Sequence, residues 1–365
     1  MKNKTKPQNY HDYLKLESLL SCQELLSDQA GEKAHDEMLF IITHQVYELW
    51  FKQILFELDS IFEVFDRDKI DESHIGVVVG RLERINEIQQ LLIDQIKILE
   101  TMTPMDFLNF RDLLTPASGF QSAQFRLIEN KFGLKNINRH GYGGVDYKSK
   151  IDKRETELVQ ESEQSLSLFD LIEQWLERTP FLVFDEFDFW DQYRVAVQRM
   201  ITKDKNIIKV NEKLPEDEKE NYLKQYKSTE KMFMSFFDEE IFSKRLESGE
   251  NRLSYKATHA ALLILLYRDQ PILHNPYRLL SKLIDLDELL TTWRYKHYLL
   301  ATRMIGRKIG TGGSVGASYL KKATSKHRIF DDLTSLTTFL IPRSDLPDLP
   351  KKVLKSLSFY YESKG

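Results

Sequence analysis

Breakers are scarce in this chain. Fifteen glycines and ten prolines are all that interrupt 365 residues, so most of the sequence has to run in long helices. Asp36 stands where it would cap a helix running to about Phe65. That segment carries two apolar stripes: Leu39, Ile42, Val46 and Leu49 on one face, Phe40, His44, Tyr47 and Phe51 on the other. A helix that is apolar on two faces belongs inside a bundle, not on a surface. Residues 71 to 101 repeat the pattern through Ile75, Val78, Leu82, Ile85, Ile88, Leu92 and Ile96. Long partners of this kind predict an antiparallel bundle. Residues 255 to 267 and 279 to 305 are again strongly helical. Neither an internal repeat nor a strand–helix alternation occurs, so the expected fold class is all-α.

The segments between these helices differ in character. The N-terminus up to about Pro7 is polar and lysine-rich, the composition of a mobile end, and an apolar-periodic stretch follows from Tyr10 to Leu26. Residues 103 to 126, with two Thr-Pro steps and an Ala-Ser-Gly turn, read as a short helix, a loop and the start of another helix. Residues 135 to 164 are polar, and Gly141, Gly143 and Gly144 mark a flexible loop there. Residues 165 to 240 are acidic and aromatic, interrupted by a charged connector from Lys213 to Lys219. They read as a smaller helical insertion packed on the main bundle. Beyond Pro342 a proline-containing tail leads to a short apolar helix or strand. By length alone two or three domains would fit. The expectation is one domain over residues 1–365, with a helical subdomain or insertion within about 140–250.

Charge and cysteine content remove whole classes of function. Fifty-six acids against 52 strong bases leave a net charge of −4, which calls for neither a nucleic acid nor a membrane surface as partner. One cysteine, Cys22, excludes an internal disulfide framework, a cysteine zinc site and a CxxCH haem attachment. The first 20 residues lack an apolar signal core, and no run of 18 apolar residues occurs. The expected compartment is therefore the cytoplasm. Nine histidines are present without HExxH or HxH spacing, so a multi-ligand zinc site is not expected.

Two histidines and one arginine stand out individually. His44 lies one turn after Phe40 on an apolar stripe, where a core histidine paired to a neighbour is the plainer reading. His297 lies on the stripe Leu286, Leu290, Trp293, His297, Leu300 and Met304. A single imidazole on an apolar face is also what a haem iron needs on its proximal side. Just beyond it, Gly306, Gly310, Gly312, Gly313 and Gly316 place five of the 15 glycines within 11 residues. The run lacks a Walker pattern and a preceding strand, so a loop closing over a pocket fits better than a phosphate cradle. Arg111 sits among Phe107, Leu108 and Phe110. There it would either hold a ligand carboxylate or pair with Asp112 or Glu48.

Three segments settle what spacing leaves open: HDEMLFIITHQVYELWFKQILFEL, FLNFRDLLTPASGFQSAQFRLIENKFG and TTWRYKHYLLATRMIGRKIGTGGSVGASYL. With YHDYLKLESLLSCQ near the N-terminus they closely resemble the tryptophan 2,3-dioxygenase family, from about Tyr10 to about Leu320. The length is that of the longer, eukaryotic-type members. The resemblance implies a haem b enzyme, ferrous when active, whose helical bundle encloses the haem. It implies insertion of both atoms of O2 into L-tryptophan to give N-formyl-L-kynurenine. It implies His297 as the proximal iron ligand, and Trp293, Ser118, Gly119 and Arg126 beside the haem. It implies Phe40, His44, Phe107, Arg111, Ser118 and Thr311 around the substrate, with His44 accepting from the indole N–H. Phe107 stands where some members have tyrosine, which leaves the acid group to Arg111 and Thr311. Tyr10 and Tyr13 match aromatics that reach a neighbouring subunit's pocket, and the family forms homotetramers assembled as dimers of dimers. Three rivals make different demands. A haem sensor or carrier needs His297 without the substrate contacts, a helical scaffold needs no haem, and a dioxygenase for another indole needs no carboxylate clamp.

Overall fold

The computed structural model describes residues 8–67, 70–135, 139, 147–179, 183–184, 187–306, 308, 310 and 316–357. The apolar-periodic stretch from Tyr10 runs as three short pieces: α1 (Tyr10–Leu14), α2 (Leu16–Leu20) and α3 (Leu26–Gln29). Lys15 breaks the first from the second with a left-handed φ of 53°. Then comes the 30-residue α4 (Asp36–Phe65). Asp36 is not its cap: it lies inside the first turn, behind an N-cap His35 that makes no side-chain cap bond. Glu37 organises this end instead. Its fully buried carboxylate accepts from the backbone N–H groups of Leu26 and Ser27, both at 2.9 Å, and from the Ser27 hydroxyl, tying α3 to α4.

The helix α5 (Glu72–Leu99) starts at a capping box formed by Asp71 and His74. It returns antiparallel along α4: the Tyr47 hydroxyl donates to the Leu92 carbonyl at 2.5 Å, and Arg84 reaches Glu57 at 2.7 Å. The expected segment from Thr103 resolves into α6 (Pro104–Arg111), a 3-10 turn at Gly119–Gln121, and α7 (Ala123–Phe132). The polar stretch 135–164 is only partly a loop. Its end is α8 (Lys153–Gln164), capped by Asp152 and pinned by a buried Val159, while Gly141, Gly143 and Gly144 lie outside the described residues.

The middle block consists of α9 (Leu168–Glu177), a hairpin of β1 (Val183–Phe184) with β2 (Phe187–Asp188), α10 (Phe189–Val210), α11 (Glu216–Phe236) and α12 (Glu239–Ser248). It packs on the bundle: Phe169, Tyr193 and Phe233 share one continuous core with Leu58, Leu82 and Leu283. Each such fully buried side chain contributes roughly 1.5–3 kcal/mol. The chain then forms α13 (Tyr255–Leu266), the 32-residue α14 (His274–Ile305), α15 (Gly316–Lys326), α16 (Asp331–Ser335) and α17 (Lys351–Leu357). Arg278 pairs with Glu83 and the Asn86 amide donates to Lys282 O, so α14 runs parallel to α5. A short turn enforces antiparallel neighbours, as between α4 and α5; the long excursion between α5 and α14 removes that constraint. No helix among the described residues is long and apolar enough to cross a membrane.

One burial expectation fails. The stripe Leu39, Ile42, Val46 and Leu49 is only partly covered within this chain: Leu39 and Val46 are half-buried, while Ile42 is 44% and Leu49 51% exposed. The opposite stripe behaves differently, with Tyr47 and Phe51 buried.

Gly133 terminates α7 at φ 115°. A Cβ there would lie 2.6 Å from the Phe169 Cβ and 3.0 Å from the Ser167 Oγ. Gly133→Ala therefore combines left-handed strain with overpacking against α9. The expected loss is about 2–5 kcal/mol, read from the urea midpoint at constant slope; a shift under about 1 kcal/mol would contradict this account of the turn.

Candidate active site

Helices α4, α5, α6, α7, α14 and α15 enclose a cavity of about 290 Å3. His44, His297, Arg111, Phe40, Phe107, Ser118, Gly119, Arg126 and Trp293 all line it. Residues far apart in sequence thus meet because α14 lies against α5 and because α6 folds its Phe107–Arg111 face inward.

The half-buried imidazole of His297 lines the cavity, with the Trp293 ring 5.2 Å away centre to centre. Burial, reinforced by His44, pushes its pKa down to about 4. At neutral pH it is an uncharged imidazole, and among the described residues its nitrogens carry no hydrogen bond. It is free to act as a metal ligand.

His44 is held differently. Its Nδ1 lies 2.7 Å from the Phe40 carbonyl oxygen. A carbonyl only accepts, so Nδ1 carries the proton and Nε2 keeps its lone pair. Burial lowers the pKa of this ring, against the smaller upward pulls of the Phe40 carbonyl and Glu48. The ring still meets the open cavity. It is not the paired core histidine that spacing alone favoured. Phe40 packs on it at 4.1 Å and on Phe107 at 5.8 Å, which makes an aromatic wall.

Arg111 contacts Asp112 at 3.2 Å while lining the cavity. Asp112 is 90% exposed, and an ion pair to such a carboxylate contributes roughly 0–1 kcal/mol.

The strongest charge in the cavity centres on Glu129, which the sequence did not single out. It is buried and accepts from Arg126 at 2.8 Å, Arg139 at 2.6 Å and Arg294 at 2.8 Å. Burial alone would raise its pKa, but the guanidiniums of Arg139, Arg126 and Arg294 hold it well below the carboxylate range. Arg294 also donates to the His327 carbonyl at 2.8 Å. Burial and then Arg294 push the His327 ring down to about 3. Arg126 and Arg294 alone bring two positive charges to one carboxylate, and the buried Arg126 Nε has no hydrogen bond among the described residues. This end of the cavity is built for an anion. No group of three metal-binding side chains occurs among the described residues.

The sequence model of the family described as tryptophan 2,3-dioxygenase matches residues 1–340. The chain belongs to the tryptophan 2,3-dioxygenase family. A tryptophan 2,3-dioxygenase of Bdellovibrio bacteriovorus is 53% identical over 97% of this chain and 99% of its own length. That of Dictyostelium discoideum is 48% identical over 96% of this chain and 88% of its own. That of Xenopus tropicalis is 46% identical over 95% and 86%. The Bdellovibrio relative is matched almost end to end, so this length is not confined to eukaryotic members of the tryptophan 2,3-dioxygenase family.

Not every residue singled out by the tryptophan 2,3-dioxygenase resemblance enters the cavity. Tyr10 and Tyr13 stand on α1, 74% and 72% exposed, and line no part of it. Thr311, with Gly312 and Gly313, lies outside the described residues, though Gly310 does line the cavity. Glu129, Arg294 and His327 were missed because each stands among other polar residues in the sequence, with nothing in its spacing to single it out. The one available signal was Arg294 itself, a charge sitting beside the apolar stripe of Trp293 and His297.

Proposed function

We propose that the chain is a haem-dependent dioxygenase that adds both atoms of O2 to the indole ring of L-tryptophan. The pyrrole ring opens and N-formyl-L-kynurenine is released, the entry step of tryptophan breakdown by the kynurenine pathway. The observation that carries this reading is the convergence of His297, His44 and Arg111 on one cavity with an aromatic wall.

The residues present fit haem b. His297 offers a neutral imidazole for the iron. The excess positive charge of Arg126 and Arg294 over Glu129 suits the porphyrin's carboxylates. Trp293, Ser118 and Gly119 would pack beside the ring, as they line the same space. When bound in the ferrous state, haem supplies the iron that activates dioxygen. The chain's own side chains do the rest. Phe40 and Phe107 bound an apolar slot for the indole, and Arg111, joined by Thr311, would pair with the carboxylate. Fixing the two reactants in one cavity removes much of the entropic barrier.

His44 would accept the indole N–H at Nε2, because its Nδ1 is committed to Phe40. A ring whose pKa is lowered is a weak base, and the indole N–H is a very weak acid, so His44 orients the substrate. His44→Ala should slow turnover by roughly tenfold to a hundredfold, the worth of one buried hydrogen bond. Complete loss of turnover with unchanged tryptophan binding would instead make His44 a general base.

We read residues 1–365 as one domain, on the strength of the core that joins the middle block to the bundle. A homotetramer built as a dimer of dimers would cover Ile42, Leu49, Tyr10 and Tyr13, which a single copy leaves in water. The two tyrosines would then reach a neighbour's cavity.

The direct experiment mixes the reduced, haem-loaded protein with L-tryptophan and O2 and follows product absorbance and mass. N-formylkynurenine is expected. A haem spectrum with no product would favour a carrier, which needs neither Arg111 nor a free His44 nitrogen.

A further inference from the structure

A chamber of about 170 Å3 adjoins the main cavity. Pro116, Ser118, Phe120, Gln121, Ser149 and Lys150 line it. Ser118 and Phe120 border the main cavity as well, so the turn that Ser118 opens separates the two spaces. On the chamber's other side Pro116 and Ser149 are exposed. It therefore lies between solvent and the cavity of His44 and Arg111. The wall opposite Ser118 is the 3-10 turn Tyr147–Lys150. That turn is fixed in place: the Tyr147 hydroxyl and the Lys148 amine, the latter at 2.9 Å, both donate to Glu163. The Arg139 guanidinium also sits 4.5 Å from the Tyr147 ring centre. Lys150 itself is half-buried, and its amine makes no ion pair or hydrogen bond among the described residues. No carboxylate lines the chamber.

We propose that this chamber is a way-station for tryptophan on its path to the main cavity, with Lys150 holding the carboxylate, an inference that rests on the dioxygenase reading. Size admits an organic molecule: a water needs about 10–15 Å3, and a cavity of about 150 Å3 accepts a benzene ring. Charge selects the class. Lys150 is the one charged side chain on the wall and lacks a partner, so a carboxylate is favoured over a neutral or cationic ligand. Phe120 and Pro116 add apolar faces, which suit an indole ring and which an inorganic anion would leave unused. The other source of a carboxylate is the porphyrin, since the Arg126 guanidinium lies 5.8 Å from the Phe120 ring centre.

The test follows the haem spectrum as haem-loaded protein is mixed with L-tryptophan without O2. A site on the path speeds entry and exit alike and leaves the final complex untouched. Lys150→Gln should therefore lower kon about threefold and Lys150→Glu about tenfold at low salt, with koff falling in step. Kd should stay within about twofold, Lys150→Arg should restore both rates, and high salt should shrink the differences. Rates that ignore the charge at position 150 would overturn the proposal. So would a raised Kd at unchanged kon, which would put Lys150 in the final complex. A lower affinity for haem in Lys150→Gln would give the amine to the porphyrin's carboxylate instead. The dioxygenase reading fails separately, when wild-type protein supplied with O2 yields no N-formylkynurenine.

Discussion

His297→Ala should yield a folded protein that neither retains haem nor forms N-formylkynurenine. The ring is an uncharged imidazole with no hydrogen bond among the described residues, so deleting it leaves no polar partner stranded. Its aromatic contact with Trp293 contributes about 0.5–1.5 kcal/mol, a loss the fold should survive. The other two imidazoles that line the cavity stand elsewhere in it: His44 is held to the Phe40 carbonyl on α4, and the His327 carbonyl accepts from Arg294. The Soret band after haem addition is the first readout, and product mass the second. Free imidazole can enter the space vacated by the side chain, so millimolar imidazole should restore the band to His297→Ala and leave wild type unchanged. A variant that keeps its Soret band without imidazole would move the iron ligand to another residue.

The fold was legible wherever burial follows a helical period. The stripe from Leu286 to Met304 is a single inward face of α14, buried at Leu286, Leu290, Leu300 and Met304 and open to the cavity at Trp293 and His297, and the period from Ile75 to Ile96 is that of α5. Period does not say whether a face is covered, and that is why the Leu39–Leu49 stripe was expected inside and is found half in water. Nor does it reveal an αL break such as Lys15, which divides α1 from α2. In the site, His297 and Arg111 could be suspected because each interrupts an apolar pattern. His44 could be suspected too, but its role depends on which nitrogen meets Phe40, a matter of geometry alone. The Glu129 cluster was invisible for a further reason: its members come from α7, α14 and residue 139, and only folding makes one carboxylate their shared partner.

That cluster yields the largest expected effect on stability. Glu129→Gln keeps the side chain's shape and removes the charge that Arg126, Arg139 and Arg294 share. Breaking a buried ion pair by deleting one partner costs roughly 3–5 kcal/mol, because the remaining charge is left without compensation. The haem-free variant should therefore unfold at a markedly lower urea concentration than haem-free wild type. The pH dependence has a definite sign. The folded pKa of Glu129 is depressed, so its contribution is present above the unfolded value of about 4.3. It is lost as pH falls through the folded pKa. The gap between wild type and Glu129→Gln should accordingly be full at neutral pH and shrink progressively as pH falls below about 4.3. Haem supplies a discriminating control. If Arg126 and Arg294 take the porphyrin's carboxylates, bound haem restores negative charge to the cluster, and the gap should be smaller in haem-loaded than in haem-free protein. An equal gap in both forms would mean that the arginines serve the fold alone, and that the haem carboxylates lie elsewhere in the cavity.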